Sequence, residues 1–378
     1  ISMKKIIFKN FLRETSEFFI LSSCAVTIIV WVIQAVNYLE FVTEDGHSFK
    51  IYFLYTIYSL PKIFSKLLPF MFFFSIFWTL IKYEEQNQTL IFWTNGINKL
   101  TFINVIIAYS FFFLVLNSLF SLYFVPVSQD KARSFIRESN IDYLPLLVKP
   151  KKFIDTVERL TIYSDKKYED TLENIIIKDS FTREKSKIIF AKKGYFSERE
   201  GNNFLILTNG KILNINEGKT NSFDFNETQI NLSKYTSKTT KTPKIQEVNT
   251  KNLFDCLFEI NSTKKNKEND FKFVCEKSVP LKNKISQELF SRIFKPFYIP
   301  LLALIGGFLL IKSKNSQGFT RYKFKIFTTA VIIISISEIS TKFYSANIYE
   351  SFFILMTPFI LFFLFYLTII KKLNWKIA

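Results

Sequence analysis

Residues 100–125 read LTFINVIIAYSFFFLVLNSLFSLYFV, an unbroken run without one charged side chain. At 1.5 Å rise per residue, about 20 apolar residues cross the ~30 Å hydrocarbon layer of a bilayer. Inside that layer every backbone N–H and C=O needs a partner within the protein, which only a helix or a closed barrel supplies. The run lacks the alternation of a barrel strand, so it reads as a membrane helix.

Five further stretches reach the same length on either side of it. Phe18 to Leu39 is uncharged, and Ile51 to Ile81 is interrupted only by Lys62 and Lys66. Pro296 to Ile311, extended backward through Ile293, is the fourth span; Ile326 to Tyr344, with Glu338 and Lys342 inside, is the fifth; Ser351 to Ile370 is the sixth. The first stretch has a basic flank but is long and has no small-residue cleavage site, so no cleavable leader is expected. Pro61, Pro69, Pro296 and Pro358 either kink these spans or, for Pro61 and Pro296, simply start them.

Composition agrees with a membrane protein. Of 378 residues 48% are hydrophobic and 46 are Phe, more than one soluble core would hide. The net charge of +18 raises nucleic acid as a partner. Lys and Arg instead gather at the ends of apolar blocks and in polar stretches, with no basic helix face, so no nucleic-acid binding is expected. The same basic residues set orientation. Lys4, Lys5, Lys9 and Arg13 precede the first span; Lys312, Lys314, Arg321, Lys323 and Lys325 join the fourth and fifth; Lys371, Lys372 and Lys376 follow the sixth. The loops of the other side carry Glu40, Glu44, Asp45 and Glu350 against Lys50. Both termini are therefore expected in the cytoplasm, with the long segment between the third and fourth spans outside.

That segment changes character. Short β-rich runs at Glu158–Ser164, Leu172–Lys178, Lys187–Phe190, Asn203–Thr208 and Lys211–Asn216 are separated by the turn signals Gly201-Asn202, Asn209-Gly210 and Glu217-Gly218. Asn209-Gly210 between two alternating runs predicts a hairpin. The expected architecture is thus an α-helical membrane protein of six spans, three and three, around an inserted extracytoplasmic β-jellyroll-like domain. Its parts would be residues 1–125, 126–290 and 291–378. Cys256 and Cys275 lie in the outer segment, either as two free thiols or as a disulfide formed on an oxidising side.

Residues for chemistry are missing. The chain has a single His, His47, with no HExxH, no zinc-spaced cysteine pair and no Walker A sequence. No catalytic or metal site and no bound cofactor is expected, and any use of ATP and magnesium falls to a partner. The loop of residues 82–99 holds Leu90, Phe92 and Trp93 after a polar turn, with Gly96 where a helix C-cap would fall. It reads either as a plug for a partner's groove, with acids at its start, or as a short interfacial helix held by Trp93. Lys62 and Lys66 stand one turn apart near the outer end of the second span, and either snorkel or meet an anion. Glu338 and Lys342 likewise stand one turn apart, which predicts a structural ion pair, with Lys342 also a candidate for ligand.

In order along the chain, several motifs stand out. They are Leu60-Pro61 and Leu68-Pro69, a loop ending Leu90-Ile-Phe-Trp-Thr-Asn-Gly96, Val125-Pro126, Glu288-Leu-Phe-Ser-Arg292 with Pro296, and Gln317-Gly318 with Arg321. With six spans and a β-domain, this series resembles the LptF/LptG permeases of lipopolysaccharide exporters over essentially the whole chain. Arg13-Glu14-Thr15 is more similar to the LptF branch. The resemblance implies an inner-membrane half-transporter that pairs with a six-helix paralogue and with an LptB-like cytoplasmic ATPase dimer. It also implies hand-over of lipopolysaccharide to an LptC/LptA-like periplasmic bridge. Residues 84–97 would be the coupling helix, with Glu84, Glu85, Gln88, Leu90, Phe92, Trp93 and Gly96 at the ATPase contact. The family's acid eight residues before the loop glycine is here Gln88, so Glu84 or Glu85 is expected to stand in. Lys50, Lys62, Lys66 and Lys342 are the expected lipid-binding cations, and Glu338, Arg292, Pro296, Cys256 and Cys275 are expected to be structural. Two other classes are weighed. A mechanotransmitter of the MacB/FtsX type would have four spans with its large domain after the first. A non-transport assembly module would carry no charges inside its spans.

Overall fold

In a computed structural model of the chain, the residues described are 3–39, 48–138, 148–157, 159–168, 171–180, 185–199, 202–216, 219–232, 244–261, 279–344 and 348–374. They divide into two compact units. One holds Ile1–Trp31, Ser59–Asp130 and Lys244–Ala378, the other Val32–Tyr58 and Lys131–Pro243.

Among the described residues six helical stretches are long and apolar enough to span a bilayer: Lys5–Tyr38, Phe49–Glu85, Lys99–Ile136, Leu281–Ile311, Phe319–Phe343 and Ser351–Leu373. The first is helix α1 (Met3–Tyr38). The second is α2 (Phe49–Tyr58) followed by α3 (Leu60–Glu85), broken at Ser59 where Pro61 starts the new helix. A short helix α4 (Gln88–Thr94) leads to α5 (Lys99–Leu119), a π turn (Phe120–Phe124) and α6 (Val125–Glu138). After the sheet come α7 (Thr250–Asn261), α8 (Val279–Ile293), α9 (Tyr298–Gly307) with 3-10 turns at both ends, α10 (Phe319–Phe343) and α11 (Ile348–Asn374). Pro296 lies in the 3-10 turn between α8 and α9, so Pro61 and Pro296 each start a new helical segment within a spanning stretch rather than the span itself, whereas Pro69 and Pro358 sit inside helices.

The membrane unit is built around its fourth span. Every residue of α9 is buried, which is what a helix apolar all round must achieve. Lipid is as apolar as Leu, so close packing rather than water exclusion holds such a helix in place. Gly306 and Gly307 allow it: an added Cβ would meet Ile76 of α3 at 3.1 Å and Ile103 of α5 at 3.3 Å. On α1, Phe11 packs on Phe102 with ring centroids 4.9 Å apart and Phe19 on Phe113 at 4.7 Å, both edge to face.

The second unit joins the end of α1 and all of α2 to the sheet segment. Tyr38 and Tyr55 meet edge to face at 5.0 Å, and the Tyr52 hydroxyl donates to the Ala35 carbonyl at 3.0 Å. Its sheet holds β1 (Phe153–Val157), β2 (Leu160–Tyr168), β3 (Thr171–Ser180), β4 (Lys185–Arg199), β5 (Asn202–Asn216) and β6 (Lys219–Asn231). All pairs are antiparallel and the strands lie in sequence order. The expected β-rich insertion is present, as a meander without the crossing connections of a Greek key.

The expected hairpin at Asn209-Gly210 is not formed, because both residues lie inside β5. A pleated strand sends every second side chain inward. Here the packed residues change phase partway along: Leu172 then Ile175 on β3, Ala191 then Phe196 on β4, Leu207 then Ile212 on β5, Phe225 then Ile230 on β6. At the change Asn174 and Asn209 both take φ near +52°. Register is kept across it, with Ala191 opposite Gly210 and Lys193 opposite Thr208. The sheet is thus creased along one line crossing its central strands, and both sides of the crease feed one core. A Cβ at Gly210 would lie 2.0 Å from the Phe190 carbonyl oxygen. Positive φ followed by absence of a Cβ is the signature of a tight turn, and a crease demands the same two properties. The strands reverse instead beyond Arg199↔Asn202 and Asn216↔Lys219; Gly201 and Glu217-Gly218 are outside the described residues.

Candidate functional site

Two polar assemblies lie at opposite ends of the membrane unit. The first surrounds α4. Span two ends at Glu85, and Asn87 in the left-handed region (φ 62°) turns the chain into α4. The helix stops in a Schellman motif: the Ile97 N–H donates to the Phe92 carbonyl and the Gly96 N–H to the Trp93 carbonyl, each at 3.1 Å. Gly96 takes φ 72°, as its predicted capping place requires. Phe92 is buried against Tyr83 and Phe102, with centroids 5.7 and 5.6 Å away, and the Lys99 ammonium lies 5.3 Å above the Trp93 ring. Leu90 and Ile91 point away, 60% and 55% exposed. One face of α4 is anchored; the other presents two large aliphatic side chains.

The acids do not begin this helix, as expected of residues 84–97, but end α3. Both are engaged within the chain. The Glu84 carboxylate accepts from the Thr89 hydroxyl and, at 2.8 Å, from the backbone N–H of Lys314 in the loop between spans four and five. Glu85 pairs with Lys323 at 3.2 Å, and its carbonyl accepts from the Lys314 ammonium at 3.0 Å. Gln88 donates to Gln86 at 2.8 Å. Beside them Glu14 of α1 accepts from Lys82 at 2.8 Å and from the Tyr83 hydroxyl at 3.0 Å. Sequence reasoning missed Lys314, Thr89 and Glu14, whose partners are distant in the chain or carry no pattern.

The second assembly centres on Arg292, only 4% exposed. It pairs with Glu288 at 2.9 Å and donates to the carbonyls of Val248 at 2.9 Å and Gln246 at 3.0 Å, and to the Thr250 hydroxyl at 3.0 Å. Thr250 in turn donates to the Leu122 carbonyl at 2.6 Å, just at the π turn of span three. The segment entering α7 is thereby tied to spans three and four. Cys256 of α7 is buried among Leu253, Ile285 and Leu289 and is disulfide-bonded; Cys24 is free. Cys275 is outside the described residues. In the same end, Ser65 donates to Asn117 at 3.1 Å and lies 3.1 Å from the Ser121 hydroxyl.

The predicted cations lie on different elements, except Lys62 and Lys66 on α3. Lys62 is half-buried and donates to Gln129 at 3.4 Å, while Lys66 one turn on is exposed. Lys342 is exposed near the end of α10, and Lys50 is exposed in the other unit. Glu338 does not pair with Lys342: its ion pair is with Lys295 of the fourth span. The i,i+4 spacing made Lys342 the natural partner, but Lys295 approaches from the neighbouring span. His47 is outside the described residues, and among the described ones no cluster suited to a metal occurs.

Compared with known proteins, the chain is 23% identical over 356 residues to uncharacterised protein RP871 of Rickettsia prowazekii (strain Madrid E), covering 90% of this chain and 91% of that one. The family described as lipopolysaccharide export system permease LptF/LptG matches residues 9–372, from the first turns of α1 to the end of α11. Six spans, an inserted β-sheet and that whole-length match agree: the chain belongs to the LptF/LptG family of lipopolysaccharide export permeases.

Proposed function

We propose that this chain is one half of an ATP-driven permease, and that it draws lipopolysaccharide from the outer leaflet of the inner membrane and passes it to a periplasmic bridge. It carries no catalytic residues of its own; ATP and magnesium bind a cytoplasmic ATPase dimer. The observation that carries the reading is the two-faced α4, whose Phe92 side is locked into the bundle while Leu90 and Ile91 stand free. A short helix of this kind moves with the spans it is anchored to and offers a greasy plug to a groove. Both termini and α4 lie on the cytoplasmic side in this reading, and the sheet lies in the periplasm.

A six-helix paralogue would pair with this chain to enclose a lipid-binding cavity between them. The exposed apolar residues of α1 (Ile20, Leu21, Ile28, Ile29) and α11 (Phe353, Phe363) suit lipid or that second chain. Arg13-Glu14-Thr15 supports the LptF branch. Acyl chains would meet Phe, Ile and Leu walls, and lipid phosphates would meet Lys62 and Lys66, with Lys342 as a further rim cation. A partly exposed cation contributes a few tenths to ~1 kcal/mol. Replacing all three by Gln is therefore expected to weaken lipid crosslinking and lipid-stimulated ATPase activity roughly tenfold. Unchanged lipid crosslinking in the triple variant would reject these lysines as the rim.

A further inference from the structure

Resting on that reading of α4, we infer that Glu84 is a latch joining the coupling helix to the loop that closes the central span, and that it carries motion from the ATPase to span four. The Glu84 carboxylate is half-buried and split between two elements. One oxygen receives the hydroxyl of Thr89 in the first turn of α4; the other receives the N–H of Lys314. Lys314 lies three residues past the 3-10 turn Phe308–Ile311 that ends span four. Lys99, just after α4, adds a second tie by donating to the Leu310 carbonyl of that turn at 2.8 Å. Span four is the buried axis of the bundle and packs against spans two, three, five and six, so a displacement of α4 reaches those spans through it. A free acid awaiting a partner protein would not have both oxygens occupied from within. Glu84 is therefore a positioning residue, and the contact with the ATPase falls to the exposed Leu90 and Ile91.

The geometry supplies a selective test. Lys314 is the second residue of a turn closed by the Ser316 N–H donating to the Ser313 carbonyl at 3.1 Å. Proline suits that position, so Lys314→Pro removes the N–H that Glu84 accepts while preserving the turn. Lys314→Ala keeps the N–H and loses only the side-chain bond to the Glu85 carbonyl. The complete complex would be reconstituted in vesicles, and lipid released per ATP hydrolysed would be measured for each variant. Glu84→Ala and Lys314→Pro should each lower that ratio about tenfold, and Lys314→Ala less than about threefold, the span expected for coupling contacts. Both changes remove the shared Glu84–Lys314 contact, so the double variant should fall well short of the product of the two singles. Native ratios in Glu84→Ala and Lys314→Pro, a double variant at the product of the singles, or loss of the bound ATPase in either single would overturn the latch. A native chain that binds no ATPase at all would instead overturn the proposed function, so the two failures are distinguishable.

Discussion

Leu90→Asp with Ile91→Asp is expected to leave the chain folded in the membrane and yet to abolish retention of the ATPase during purification. Neither side chain supports the fold, since both face away from the bundle while Phe92 and the Schellman cap hold α4 in place. In a docked state both would be covered. Burying an aliphatic side chain of this size contributes about 1.5–3 kcal/mol, and a carboxylate in the same groove would have to be desolvated without a partner. Two such changes remove about 3–6 kcal/mol of burial alone from the about 8 kcal/mol of a micromolar contact, which with the desolvation takes it to millimolar or weaker. Co-purification from membranes with native and doubly substituted chains reads the outcome. An ATPase retained by the Asp variant places the contact elsewhere than α4.

A second large effect is expected at Arg292, for the opposite reason. Its guanidinium is buried and fully engaged with one carboxylate, a hydroxyl and backbone carbonyls of residues 245–248. Removing it takes a donor from the carbonyls of Ile245, Gln246 and Val248, the last of them buried, and leaves Glu288, one-fifth exposed, without its cation. Breaking such a group costs about 3 kcal/mol or more. Lysine should not rescue it, because an ammonium cannot span a fork of acceptors on two sides. Arg292→Ala and Arg292→Lys should both lower the unfolding temperature by several degrees and open the 244–250 segment to protease. Equal melting of native and variant chains would show that these bonds contribute nothing net.

Much of this was legible in the sequence, and the exceptions have physical causes. Span positions follow from long uncharged runs, and the prolines at 61 and 296 announce helix starts because a first-turn residue needs no N–H. Gly96 is readable because only a residue tolerant of positive φ closes a Schellman motif economically. Asn209-Gly210 misleads because a creased strand and a hairpin ask the same of the backbone. Glu338 and Glu84 mislead for another reason. Their local spacing suggests a helix neighbour and an outward-facing acid, but their partners are Lys295 of span four and Lys314 of the loop after it, and Lys314 is 230 residues from Glu84 in the chain. Helix-local patterns are visible in one dimension; a bond between spans is decided only when the bundle packs. The Arg292 assembly lies between these cases, since Glu288 one turn earlier signals an ion pair but not the carbonyls around it.

Everything proposed for this permease requires that α4 and the creased sheet face opposite sides of the membrane. Protease added outside spheroplasts with intact inner membranes tests this directly, read by antibodies against peptides from residues 185–231 and 82–99. The account predicts that the sheet epitope disappears while the α4 epitope survives until the membrane is permeabilised. Survival of the sheet epitope with early loss of the α4 epitope would contradict it.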